Sequence, residues 1–93
     1  MSKEINDLIK KAAEVLKSFG ATDVYLFGSV AKGTDNEHSD IDLAVSGIPP
    51  EKFFEAMGSA INAIKKEFDL VDLDEKNPFV DYLKSQGELQ RVV

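Results

Sequence analysis

One run, Asp40-Ile41-Asp42-Leu43-Ala44-Val45, restricts this chain more than any other. Successive side chains of a strand point to opposite faces, so Ile41, Leu43 and Val45 supply a core face. Asp40 and Asp42 then project together from the other face. Two carboxylates about 7 Å apart along a strand repel each other when both are ionised. A divalent cation between them turns that repulsion into a binding site. Ten residues separate Asp40 from Gly28-Ser29, where the apolar run Val24 to Phe27 breaks off. A Gly-Ser turn at the mouth of a helix offers free backbone N–H groups, which suit phosphate. Phosphate donors beside a metal-binding carboxylate pair describe a nucleotide site.

Gly28-Ser29, ten residues, then Asp40-x-Asp42 resembles the signature of the polymerase-β-like nucleotidyltransferase superfamily. The strings Phe27-Gly28-Ser29-Val30-Ala31-Lys32-Gly33 and Ser39-Asp40-Ile41-Asp42-Leu43 are similar to those of its smallest branch, the minimal nucleotidyltransferase (MNT) domains. The resemblance covers nearly the whole chain. It implies transfer of a nucleoside monophosphate, AMP from ATP, to an acceptor hydroxyl, with two Mg²⁺ ions and Mn²⁺ as a substitute. Many MNT domains are paired with HEPN-domain toxins, and MNT antitoxins transfer AMP to a tyrosine of that partner. The resemblance therefore implies an antitoxin that assembles with a HEPN protein. The alternative is a non-catalytic module that neutralises its partner by contact or binds nucleotide without turnover.

Asp40 and Asp42 can bridge both metal ions, and a third carboxylate is needed on a neighbouring strand. The run Phe68-Asp69-Leu70-Val71-Asp72-Leu73 offers Asp69, on the face of Val71 and Leu73, and Asp72, on the face of Leu70 and Asp74. Alternation does not choose between them. The family resemblance chooses Asp69, because Phe68-Asp69-Leu70-Val71 is similar to the apolar-Asp-Leu-Val run carrying the third acid in MNT domains. The resemblance also makes Gly28 and Ser29 the phosphate-binding turn and gives Lys32 a contact with the triphosphate. Relatives frequently carry Arg where this chain has Val30. His38, the one histidine, reads as a solvated loop residue.

Composition narrows the rest. Ninety-three residues with 43% hydrophobic content make one small domain with a single modest core. No run approaches the ~20 apolar residues of a membrane span, and no signal-peptide pattern opens the chain, so a cytoplasmic protein is expected. The absence of cysteine excludes disulfides and thiolate metal sites. A net charge of −6 argues against direct nucleic-acid binding and suits a basic protein partner.

The remaining stretches frame the site. Ile5, Leu8, Ile9, Ala12, Val15, Leu16 and Phe19 predict an amphipathic helix ending near Gly20. Asp23 to Phe27 is expected as a strand, Ser29 to Lys32 as a short helix, and Asp40 to Ser46 as the second strand. Pro50 to about Phe68 predicts a second long helix with a stripe of Phe53, Met57, Ala60, Ile61, Ile64 and Phe68, Phe54 beside it. Gly58 inside that helix suggests close packing. Phe68 to Leu73 predicts a third strand, with Asp72 and Asp74 at a solvated strand end. Asn77-Pro78 opens a last helix through Ser85, closed by Gly87, and Leu89 to Val93 is an edge-strand candidate. Alternating elements predict an α/β (α+β) class with a small mixed sheet and helices packed on it.

Overall fold

The computed structural model describes residues 3–28, 41–86 and 89–92. The first helix, α1 (Lys3–Ser18), turns Ile9, Ala12, Ala13 and Leu16 fully inward. Ile5, Leu8, Val15 and Phe19 pack around them. This is the stripe that its three- and four-residue periodicity demands. Two strands follow, β1 (Asp23–Phe27) and β2 (Ile41–Ser46), paired antiparallel. The expected helix at Ser29–Lys32, the loop with His38, and Asp40 lie outside the described residues.

The second long helix, α2 (Pro50–Ile64), opens with proline at its first position and Glu51 in its first turn. Both suit a helix N-terminus. It ends four residues earlier than the apolar period predicts. Lys65 takes φ 55° and ψ 38°, and its N–H donates to the Ile61 carbonyl at 2.8 Å. Phe68 continues the helical apolar spacing only because the following strand opens with a core residue. The buried line of α2 is Ala56, Ala60 and Ile64, with Phe53 and Ile61 partly buried, so the stripe is rotated from the expected one. Phe54 is 77% exposed. Gly58 is also exposed, and a Cβ there would meet nothing within 4 Å, so it marks no close packing.

The third strand, β3 (Phe68–Asp72), lies parallel to β2. Helix α3 (Pro78–Gln86) is capped as expected: the Val80 N–H donates to Asn77 Oδ1 at 2.9 Å. The two-residue strand β4 (Gln90–Arg91) then pairs antiparallel with β1. The sheet order is β3-β2-β1-β4, a mixed sheet of four strands.

Its two faces are covered unequally. On one face, α1 and α2 lie over Val24, Leu26, Ile41, Leu43, Val45 and Phe68. On the other, Val80 and Leu83 of α3 pack with Phe27, Ala44 and Leu73. Two strand-end carboxylates expected to be solvated stay at the surface, Asp74 exposed, and carry backbone contacts as well. Asp74 Oδ2 accepts the Gly47 N–H at 2.7 Å, and Asp72 Oδ1 accepts the Asp74 N–H at 2.9 Å. No described helix is long and apolar enough to cross a membrane.

Candidate active site

The site lies on the face covered by α3. Strand register places Phe27 opposite Asp42 and Asp42 beside Asp69, so one line crosses β1, β2 and β3 at the same level. Side chains of paired positions in neighbouring strands share a face. Asp42 and Asp69 are therefore side by side, on the face of Ala44 and Val71. The choice that alternation alone left open is a matter of register: Asp72 pairs with Val45, three positions along and on the opposite face. Asp72 is engaged in the turn with Asp74 and does not reach the line of Asp42.

Gly28 follows β1 directly, with φ 80°, a left-handed conformation that glycine adopts without strain. A Cβ built there would collide with Asp42 Oδ2 and stand 3.2 Å from Asp42 Cγ. The expected reason for glycine was backbone approach to phosphate. The structure adds another: a side chain there would displace the Asp42 carboxylate. Asp42 is half-buried and Asp69 exposed, so one acid is held while the other faces solvent.

Phe27 and Phe79 on this face, with Met57, Phe68 and Leu70 from the α2 side of the β3 edge, complete a cleft of about 400 Å³ around the two acids. Phe79 meets Phe27 edge to face, with ring centroids 6.2 Å apart and planes at 65°. Neither Met57 nor Phe79 was anticipated at the site. Phe79 had a signal, an aromatic residue directly after the Asn77-Pro78 helix start, but nothing in its spacing pointed toward Asp42. Among the described residues no group of three His, Cys, Asp or Glu side chains could hold a metal ion. The described pair, Asp42 and Asp69, brings hard oxygen donors that suit Mg²⁺ or Mn²⁺. Three further expected site residues, Ser29, Lys32 and Asp40, lie outside the described residues.

Away from the cleft, Asp23 carries a second polar cluster. Its carboxylate accepts hydrogen bonds from Thr22 Oγ1 at 3.1 Å and Ser46 Oγ at 3.2 Å, and pairs with the Arg91 guanidinium at 2.7 Å. Desolvation pushes its pKa up, but these bonds and the Arg91 charge outweigh it and hold Asp23 below the usual carboxylate range. Arg91 also lies over the Tyr25 ring, 5.9 Å from its centroid.

No curated protein matches the chain. Solved structures do. A toxin–antitoxin structure with AMP-PNP superposes with a TM-score of 0.70 at 24% identity, covering 99% of this chain and 73% of that one. The complex of a tri-AMPylated Shewanella oneidensis HEPN toxin with its MNT antitoxin gives 0.66 at 22% identity, with coverages of 95% and 71%. A candidate minimal nucleotidyltransferase gives 0.71 at 22% identity, with coverages of 91% and 89%. At these identities the likeness is one of fold. The family follows from sequence: residues 3–89 match the model described as polymerase beta, nucleotidyltransferase, and the chain belongs to that family.

Proposed function

We propose that this nucleotidyltransferase transfers AMP from ATP to a hydroxyl of a protein partner, a tyrosine of a HEPN toxin, and so acts as its antitoxin. The observation carrying the reading is the register that sets Asp42 beside Asp69 directly under the Gly28 turn. Two ionised carboxylates at adjacent positions repel, and a fold that sets them together gains from a cation between them. Asp42 and Asp69, together with Asp40, would hold Mg²⁺, which when bound activates the acceptor hydroxyl and neutralises charge on the triphosphate. Gly28 keeps the Asp42 carboxylate in place, while Ser29 and Lys32 serve the phosphates. The whole chain, 1–93, acts as one minimal nucleotidyltransferase domain. Its likeness to structures of a toxin–antitoxin pair with AMP-PNP and of an AMPylated HEPN toxin complex supports the nucleotide and the partner.

Intact-mass spectrometry of a HEPN-domain protein, after incubation with this chain, ATP and Mg²⁺, tests the reading. Wild type is expected to add one or more AMP units. Asp42→Ala should slow the addition at least about 100-fold while the complex still forms. Neutralisation that survives Asp42→Ala, with no adduct from wild type, would establish the contact-only module instead.

A further inference from the structure

A second hollow adjoins the acidic cleft. It measures about 770 Å³ and runs between the start of α2 (Pro50, Phe53, Phe54), strand β3 and the start of α3 (Pro78, Phe79). Leu70 and Val71 both line it, although successive strand residues point to opposite faces. A groove touching both must pass over the outer edge of β3. That edge is unpaired among the described residues, since β3 ends the sheet and bonds only to β2. Two of the three large hydrophobic residues most exposed in the described chain flank the groove: Phe54 at 77% and Phe79 at 49%. Leu70, Val71 and Phe79 line the cleft of Asp42 and Asp69 as well, so groove and cleft are continuous.

The direction of the reaction gives this continuity a meaning. In nucleotidyl transfer the acceptor oxygen bonds to the α-phosphorus as the bond to the bridging oxygen breaks. Pyrophosphate leaves with that electron pair, and the hydroxyl proton passes to solvent. Entering and leaving oxygens stand in line on opposite sides of phosphorus. Across the sheet, the Gly28 turn follows β1 on one side of Asp42, and Asp69 sits on β3 at the other. With pyrophosphate held at the turn, the acceptor enters from the β3 side, where the groove opens.

We propose that the groove over the β3 edge receives the acceptor as an extended polypeptide segment, apolar at its centre and carrying Lys or Arg at its flanks. This deepens the protein-modifying reading above and rests on it. The apolar centre is required by Phe53, Phe54, Leu70 and Phe79. An extended form follows from the backbone edge of β3, unpaired among the described residues, which can pair with one more strand. Basic flanks follow from charge: the acidic lining residues are Asp72 and Glu75, with no Lys or Arg among the described lining. The same acidity disfavours a nucleic-acid acceptor.

Short random peptides displayed on phage, selected on the wild-type chain and counter-selected on Phe54→Asp, test the assignment. Phe54 is exposed enough for the variant to fold, which its thermal midpoint checks. The expected winners have aromatic or aliphatic centres flanked by Lys or Arg, and bind wild type at least about tenfold more tightly than Phe54→Asp. Both proteins should bind ATP with Mg²⁺ equally. Winners containing tyrosine should accept AMP from wild type and lose about the same factor with Phe54→Asp. No enrichment, acidic winners, winners indifferent to Phe54, or displacement of the peptide by a single-stranded oligonucleotide would each overturn the groove assignment. If wild type binds no ATP, the transferase reading beneath it falls, a result the binding arm separates from failure of the groove.

Discussion

The two faces of β2 differ in what they ask of neighbouring residues. Ile41, Leu43 and Val45 are fully buried under α1 and α2, where side chains from both helices and three strands meet. Asp42, one residue from either neighbour, lies on the thinly covered face, where α3 supplies Val80 and Leu83 to the small core and Phe79 against Phe27. A strand thus separates stability from chemistry with a period of two, without needing a loop to do so. The thick face holds the strand level, and the thin face leaves the carboxylates room for a ligand.

The most severe test of that division pairs Leu43→Ala with Asp42→Asn. Leu43 is fully buried, so truncation should cost about 2–5 kcal/mol, read from the shift of a urea unfolding midpoint. Asp42→Asn should move that midpoint far less, yet abolish most of the thermal stabilisation given by ATP with Mg²⁺. Equal destabilisation of the two variants would erase the distinction between faces.

A smaller effect is expected where the two duties meet. Gly28→Ala places a methyl group on the Asp42 carboxylate at a φ of 80°. It should cost about 1–3 kcal/mol of stability and also weaken ATP binding, because Asp42 must move. Stability lost with ATP affinity intact would mean that the carboxylate position does not matter to the ligand.

On the thick side, Gly58 sharpens the comparison in the opposite direction. It is in α2 but on its open surface, so Gly58→Ala should stabilise the chain by ~0.5–1 kcal/mol through helix propensity alone. A loss in the same denaturation assay would show that the site is packed after all.

The smallest effect concerns the Asp23 cluster. Asp23 titrates below the usual carboxylate range when folded, so its contribution is complete near neutrality. It fades as pH falls through the acid range and the carboxylate takes up its proton. The gap in thermal midpoint between wild type and Asp23→Asn should therefore narrow from neutrality down to about pH 3. A gap that widens on acidification would reverse the assigned sign.

Much of this arrangement is legible in the sequence alone. The strand Asp23–Phe27 and the Asn77 cap needed only local chemistry: β-branched and aromatic residues in one, an Asn-Pro start in the other. Two things were hidden because they are not local. Asp69 and Asp72 are equivalent to period-two reasoning, and only the parallel register with β2 sets Asp69 beside Asp42. The end of α2 was hidden because Phe68 keeps the helical period while belonging to a strand. The pattern of the site also takes in Ser29, Lys32 and Asp40, which lie outside the described residues.

The sheet's two borders have unequal consequences for growth. On the β1 side, β4 adds only two residues, and Arg91 is pinned there by Asp23 and Tyr25. Short, charged borders of this kind resist templating by another chain. The β3 border carries no such stop among the described residues. A sheet that can extend in one direction only accepts one neighbour and then ends, so edge-to-edge association closes after a single step. Fibrous propagation needs two open borders, and the described residues present one.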